Sequence, residues 1–449
     1  IDSFFTASGK AHFTRRIIVC TTNLWSQHAM DALNDQNPPV TRIGVNDLDG
    51  SSIDWGQWDL GDLENLRRHP RKTQRLHQTE AIEAVLAGFE EHDRGKLIMA
   101  CGTGKTYTAQ RIAEELVGPG GTVLVLMPSI SLLSQTLKEW TADASIPIVP
   151  YAVCSDTKAG KKRDSEDMSP YDLVLPATTD SDLLVAQFNR TKSPDKMSAI
   201  FSTYQSIDVL SAAQQAGMPD FGLVIADEAH RTTGVTLVGA EDSNFTKVHD
   251  DVHIKADKRV YMTATPRVFS DTSKAKATAA DAWLASMDDV GTFGPEFHRL
   301  GFHEAVTRDL LTDYKVLVLA VDEAAVAAAF QKQLSDENHE LQLDDATKIV
   351  GCLNALAKRD PVGETFGTDD LPMQRAVAFS NTIAYSKKFK GLFTEVADRY
   401  ENLSHRDAPL RVDVDHVDGK FNSLQREELL RWLKDDPGDN GCHVLSNAK

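Results

Sequence analysis

A glycine-rich turn directly after an apolar run constrains the fold of this chain more than any other segment. The run Leu97 to Cys101 predicts a buried parallel strand, and Gly102 and Gly104 follow it. Glycines in such a turn leave backbone N–H groups free to surround a polyphosphate. Apolar residues then recur at helical spacing, which predicts a helix whose N-terminus faces the anion. These residues are Ala109, Ile112, Ala113 and Leu116.

The side chains of this loop suit a nucleotide with a divalent cation. Lys105 supplies a point charge for the outer phosphates, and Thr106 can ligate Mg²⁺. Met99 occupies the position at which the general P-loop pattern has its first glycine. The alternative is an ordinary glycine turn before a helix. The pattern thus predicts ATP and Mg²⁺ as cofactors, bound by Gly102, Thr103, Gly104, Lys105 and Thr106.

A second apolar run, Leu223 to Ala226, ends in the residues Asp-Glu-Ala-His. Asp227 is placed to hold the magnesium ion through water, and Glu228 to orient and deprotonate the attacking water. Read alone, the segment could be a capped turn after a strand. Because ligands bind at the carboxyl ends of parallel strands, both segments are expected in one site, with Lys105, Asp227 and Glu228 catalytic.

In this order the segments resemble superfamily 2 helicase-type ATPases of the DEAH class, most closely the motor subunits of type I, type III and single-polypeptide restriction enzymes. The resemblance implies that Arg75 and Gln78 read the nucleotide. It implies coupling of the ATP site to nucleic acid through His230, Thr263, Ala264 and Thr265. It implies nucleic-acid contacts by Pro128, Ser129, Thr203, Tyr204, Ser380 and Asn381. Taken singly, these weaker segments also fit a surface helix, a strand end or a turn.

Residues 1–60 alternate as helix, strand, helix and strand, with strands expected over Arg16 to Thr21 and Val40 to Val45. This segment resembles the C-terminal part of the Mrr-like nuclease domain that precedes the motor in single-polypeptide restriction enzymes. Nuclease chemistry needs acidic residues and a lysine around Mg²⁺. Lys10 is the only lysine before Lys72, and Asp2 is the only acid ahead of it. We therefore expect the nuclease catalytic residues to be absent from this segment.

The fold class expected is α/β, with tandem RecA-like domains of which the second is truncated. The ATP-binding domain is expected over residues 61–318, a helical linker or insert over 319–370, and the second RecA-like domain over 371–449. The fifth family motif would begin near the last residues, so the sixth motif with its arginine fingers is expected to be absent. The chain as given is then expected to bind ATP better than it hydrolyses it.

Composition limits the possible partners and compartment. The formal net charge of −18 argues against a protein that coats nucleic acid with a uniformly basic face. A motor needs only a local basic track, and two clusters could supply it or could be solvated loops. These are Arg67, Arg68, Arg71, Lys72 and Arg75, and Lys158, Lys161, Lys162 and Arg163. The five cysteines lack CxxC spacing, which disfavours a zinc site or disulfides and predicts a cytoplasmic location.

The function expected from the resemblance is ATP-dependent translocation on double-stranded DNA as part of a restriction-modification enzyme. Nuclease and methyltransferase or specificity modules are expected in the same polypeptide or complex. Two alternatives stay open: a strand-separating helicase for DNA repair or RNA, and a nucleotide-gated DNA-binding module that recruits a nuclease.

Overall fold

A computed structural model of the chain shows two compact units, the first ending at Asp313 and the second beginning at Tyr314. The structure describes residues 2–8, 16–20, 27–33, 36, 40–44, 48, 51, 53, 70–154, 177–237, 243–279, 282–314, 316, 321, 323–330, 342–358, 371–403, 410–418, 421 and 423–448.

The N-terminal segment has the predicted alternation of helices and strands. Its elements are α1 (Asp2–Ser8), β1 (Arg16–Val19), α2 (Gln27–Leu33) and β2 (Val40–Ile43). The two strands pair in parallel, with Arg16 opposite Val40. Parallel neighbours require a crossover connection, and α2 lies in the segment that supplies it. Each strand ends two residues before its predicted end.

The rest of the first unit alternates strands and helices. In chain order the elements are α3 (Leu76–Glu91), β3 (Arg94–Met99), α4 (Lys105–Leu116), β4 (Thr122–Met127), α5 (Ile130–Asp143), β5 (Ile148–Val153), β6 (Ala177–Thr178), α6 (Ser181–Thr191), β7 (Met197–Thr203), α7 (Ile207–Gln215), β8 (Leu223–Ala226), β9 (Gly234–Leu237), β10 (Arg259–Thr263), α8 (Asp271–Ala279), β11 (Ala282–Ala285), α9 (Val290–Phe293), β12 (Glu296–Leu300) and α10 (Phe302–Thr307). Eight strands form one sheet in the order β12-β3-β10-β8-β4-β7-β5-β6, and every recorded pairing in it is parallel. Strands β9 and β11 form a separate antiparallel pair.

Helices cover both faces of this sheet, because successive side chains of a strand point to opposite faces. Leu97 and Met99 pack into a core with α3, α4 and α5. Ile98, between them, packs into a second core with α6 and α7. Strands buried on both faces read as continuous apolar runs, which is how the sequence identified them.

The strand order decides which loops meet. The neighbours β3, β10, β8, β4 and β7 run in the same direction, so the residues after them lie along one edge of the sheet. Along this edge the glycine-rich loop comes first, then the residues after Thr263, then Asp227, Pro128 and Tyr204. Motifs that are far apart in the sequence are therefore collected at a single edge.

The second unit is a smaller α/β layer. Its elements are α11 (Glu323–Ala329), α12 (Leu343–Leu356), β13 (Arg375–Ser380), α13 (Ile383–Leu403), β14 (Arg411–Val417), α14 (Ser423–Lys434) and β15 (Gly441–Ala448). The strands form a three-stranded parallel sheet in the order β13-β15-β14. Val326 and Leu353, from helices expected in the linker, share one core with Phe393. The division of the chain into four segments stays a prediction.

Candidate functional site

The glycine-rich loop has the backbone geometry of an anion cradle. Helix α4 begins at Lys105, directly after Gly104, whose φ of 89° lies in the left-handed region, and Gly102 has a φ of 85°. Such angles favour glycine. A Cβ on Gly104 would come within 2.3 Å of Nε2 of Gln78, so glycine is also required by space. No side chain caps α4, which leaves its first-turn N–H groups available to a phosphate.

Two side chains that the sequence did not single out hold this loop in place. The imidazole Nε2 of His77 is 2.9 Å from the carbonyl oxygen of Thr103, and the ring is buried. The indole Nε1 of the fully buried Trp140 donates to the carbonyl of Thr106 across 3.2 Å. Trp140 lies on the next helix along the chain, and no local pattern predicts such a long-range contact. The loop is thus fixed from two sides.

Gln78 is buried between the start of α3 and the loop. Its Oε1 accepts from the backbone N–H of Arg75 at 2.9 Å, and its Nε2 donates weakly to the Thr103 carbonyl at 3.5 Å. The side chain of Arg75 is exposed. The structure therefore joins Gln78 to the glycine-rich loop, while the reading of the nucleotide by Gln78 and Arg75 stays a prediction.

Asp227 follows β8 and Lys105 follows the loop after β3, two strands that are separated in the sheet by β10, and the two side chains carry opposite charges. Lys105 Nζ lies 3.3 Å from the carbonyl of Met99, at the end of β3. Burial and the charge of Glu228 raise the pKa of Asp227 to about 6, while the backbone N–H of Glu228 and the charge of Lys105 act the other way. A carboxyl enclosed beside a second acid is stabilised in its ionised form by added positive charge. The residues present therefore fit a divalent cation.

Glu228 adopts a left-handed backbone, with φ of 48° and ψ of 45°, at the start of a short turn over Ala229–Thr232. This conformation costs a non-glycine residue roughly 1–2 kcal/mol. Hydrogen bonds hold the turn, since Asp227 N–H donates to the Leu126 carbonyl at 3.0 Å and Arg231 N–H donates to the Glu228 carbonyl at 2.9 Å. Strain maintained in this way is typical of functional sites.

The turn touches the end of β10. His230 Nδ1 is 2.9 Å from Thr263 Oγ1 and 3.3 Å from Glu228 Oε2. The same hydroxyl accepts from the backbone N–H of Thr265 at 3.1 Å. Burial lowers the pKa of His230, which favours the neutral ring. Thr263 is buried, Ala264 half-buried and Thr265 exposed, and the coupling role of these residues stays a prediction.

The residues predicted to meet nucleic acid mostly turn their side chains inward. Pro128 and Thr203 are buried, and Ser129 is the N-cap of α5, with its Oγ accepting from Leu132 N–H at 3.3 Å. Tyr204 is fully buried. In the second unit, at the end of β13, Ser380 is buried and Asn381 is exposed. Nucleic-acid contact by these six residues stays a prediction.

Family models match two parts of the chain. Residues 71–268 match the model described as "Type III restriction enzyme, res subunit". Residues 1–65 match a model described as "Restriction endonuclease". Over residues 71–268 the chain is therefore similar to the res subunit of type III restriction enzymes. The resemblance stated from the motifs is thereby confirmed. No curated protein sequence matches the chain significantly.

Two solved structures extend the likeness. The "ATP-dependent Type ISP restriction-modification enzyme LlaBIII bound to DNA" is 38% identical over the whole of this chain, with a TM-score of 0.82. A nuclease-deletion mutant of the Type ISP enzyme LlaGI, in complex with a DNA substrate mimic, is 35% identical over 84% of the chain, with a TM-score of 0.57. The chain spans only 29% and 25% of the lengths of these two proteins.

Of the two basic clusters, the structure describes Arg71, Lys72 and Arg75, and all three are exposed. Lys72 pairs with Asp143 at 3.0 Å and with Glu139 at 3.7 Å, so its charge is used within the fold. Arg67, Arg68 and residues 158–163 lie outside the described residues. None of the described helices is long and apolar enough to cross a membrane.

His249 holds the end of the acidic turn, which comprises residues 227–232. Its Nε2 is 3.1 Å from the Thr232 carbonyl, and its Nδ1 is 3.0 Å from the hydroxyl of Tyr261. Burial above all lowers the pKa of His249 to about 4, and the charges of Arg94 and Arg259 add to this, while the Thr232 carbonyl and Asp289 oppose it. The folded domain therefore holds this ring neutral.

A pH dependence of stability follows. The unfolded chain takes up a proton on His249 near pH 6.5, whereas the folded chain does so only near pH 4, so stability is full above pH 6.5 and falls between these values. We expect a loss of about 2 kcal/mol by pH 5. His249→Gln should reduce the loss, because its amide reaches similar partners and does not titrate. Chemical unfolding at pH 7.5 and pH 5 measures the free energy of unfolding of the wild type and the variant. An equal loss of stability in the two proteins would contradict the assignment of the pH dependence to His249.

Proposed function

We propose that the chain is the ATP-dependent motor of a restriction-modification enzyme and that it moves on double-stranded DNA by hydrolysing ATP. The observation that carries this proposal is the arrangement of one sheet edge. The glycine-rich loop, Asp227 and two of the three segments predicted to meet nucleic acid all follow strands of this sheet at that edge. The relative at 38% identity is described as ATP-dependent and as bound to DNA. These two findings support a motor more strongly than a binding module.

Each residue of the site has one task in this proposal. The first-turn N–H groups of α4 and the Lys105 ammonium would bind the phosphates, and Thr106 and Asp227 would hold Mg²⁺. When bound, the ion would neutralise charge on the phosphoryl group that is being transferred. Glu228 orients the attacking water and accepts its proton. His230 passes the state of Glu228 to Thr263, whose hydroxyl also binds the N–H of Thr265.

The relatives suggest partners beyond these residues. We propose that nuclease and methyltransferase or specificity modules act with this motor, in the same polypeptide or complex. The absence of nuclease catalytic residues from residues 1–60, the absence of arginine fingers and the cytoplasmic location stay predictions.

Duplex DNA should stimulate ATP hydrolysis by the intact protein more than RNA does. The reason is that motors of this class track a duplex without needing to part it. The measurement is steady-state ATPase activity with duplex DNA, single-stranded DNA or RNA at equal nucleotide concentration and fixed salt. Displacement of a third strand from a triplex, which reports translocation without unwinding, should be positive.

The same assays separate the alternatives. Efficient separation of a tailed duplex, or stimulation by RNA alone, would indicate a strand-separating helicase. Tight ATP-dependent binding of DNA with no stimulation and no triplex displacement would indicate a nucleotide-gated binding module. Either result would overturn the translocase proposal.

A further inference from the structure

Tyr204 joins a segment predicted to meet nucleic acid to the acidic turn. It follows β7 directly and is fully buried, and its hydroxyl donates to the carbonyl oxygen of Asp227 at 2.8 Å. Strand β4 lies between β7 and β8, so the side chain reaches past the end of one strand to the loop after the next. The resemblance predicts a nucleic-acid contact for this residue, which stays a prediction, and in the structure its hydroxyl contacts the Asp227 carbonyl.

The carbonyl that accepts from Tyr204 belongs to the peptide that links Asp227 to Glu228. A peptide group is planar, so the Asp227 carbonyl and the Glu228 N–H move together. That N–H donates to Oδ1 of Asp227 at 2.9 Å. The Tyr204 hydroxyl therefore fixes the one peptide that orients the Asp227 carboxyl and carries the left-handed Glu228.

The backbone N–H of Asp227 is held by another segment predicted to meet nucleic acid, the one after β4. The Asp227 N–H donates to the carbonyl of Leu126, two residues before Pro128. The segments after β4 and β7 therefore both form hydrogen bonds with the backbone of Asp227, the residue that we propose to hold Mg²⁺.

The position of Tyr204 is itself set by its surroundings. The Phe245 ring stacks on the Tyr204 ring with centroids 5.0 Å apart and an interplanar angle of 25°. The neighbouring Asn244 side chain donates to the carbonyl of Gln205 at 2.9 Å. A displacement of the backbone at residues 203–206 would therefore move the hydroxyl together with its ring, and with it the contact to Asp227.

We propose that Tyr204 is a positioning residue. When DNA binds to the segment after β7, the Tyr204 hydroxyl transmits the change to the Asp227–Glu228 peptide. DNA-stimulated hydrolysis then depends on this hydrogen bond, whereas the affinity for DNA does not. The inference rests on the proposed function, since it requires a nucleic acid that stimulates hydrolysis.

Tyr204→Phe in the intact protein tests it, because the substitution removes the hydroxyl and keeps the ring. We expect kcat at saturating duplex DNA to fall about tenfold, the value of one well-made hydrogen bond. The KM for ATP and the Kd for a labelled duplex, measured by anisotropy, should stay within about twofold of wild type, since neither ligand is touched. The matched control is Tyr151→Phe, which removes a 2.7 Å hydrogen bond to Thr191 Oγ1 elsewhere on the same sheet.

The outcomes are distinct. A normal kcat for Tyr204→Phe in a protein that DNA stimulates would overturn the inference, and so would a raised Kd for DNA, which would make Tyr204 a DNA contact. Equal losses of kcat and thermal stability in both tyrosine variants would show a merely structural role and would also overturn it. Failure of DNA to stimulate the wild-type protein would instead reject the proposed function itself.

Discussion

Glu228→Gln should lower the steady-state turnover of ATP by about 10²- to 10⁴-fold while ATP binding is retained. The amide keeps the shape of the side chain but cannot accept the proton of the attacking water. It also keeps the approach to His230, whose Nδ1 lies 3.3 Å from the carboxylate in the wild type. The left-handed backbone at this position is unchanged by the substitution, so the fold should persist. ATPase rates at saturating ATP and DNA, with a nucleotide titration, measure the two effects separately.

The matched control for this prediction is Glu139→Gln, the same chemical change on α5. Glu139 lies 3.7 Å from Lys72, a contact between partly exposed groups that contributes little to stability. The ATP turnover of the Glu139→Gln variant should equal that of the wild type. Wild-type turnover by Glu228→Gln would require another base.

The strands around the site could be predicted because they are buried on both faces. Leu223–Ala226 was predicted to the residue. Strand β3 begins at Arg94, three residues before the predicted start, because its polar first residues have partners in the fold. Lys96 Nζ donates to the Met287 carbonyl at 2.8 Å, and Arg94 forms two hydrogen bonds with Asp251. Neither partner is close in sequence, so hydropathy alone reads these residues as exposed.

The roles within the site could be predicted less well than their places along the chain. A motif gives the position of a strand end, whereas the direction of each side chain depends on which neighbours the sheet order brings next to it. Tyr204 shows this, since it lies in a predicted nucleic-acid segment and yet points to Asp227. His77, Trp140 and His249 were missed for the same reason. Each contacts a backbone carbonyl of the site that is distant from it in the sequence, so no local motif includes both partners.

Lys105→Ala should abolish nucleotide binding at working concentrations, with an affinity loss of about a hundredfold or more. The substitution removes the positive charge that the loop directs at the β and γ phosphates, while the glycine backbone angles and the N–H groups of α4 remain. Stability should change little, because the ammonium group makes two long contacts, of 3.3 Å with the Met99 carbonyl and of 3.9 Å with Cys101 Sγ.

Calorimetric titration with a non-hydrolysable ATP analogue and Mg²⁺ measures this loss. Lys192→Ala, at the exposed end of α6 and far along the sheet from β3, is the control for removing a lysine and should bind normally. Lys105→Ala with wild-type affinity would mean that the loop does not hold the phosphates, whatever its backbone geometry. A loss of binding together with unchanged unfolding curves would separate the charge of Lys105 from the fold that presents it, which the hydrogen bonds of His77 and Trp140 maintain independently.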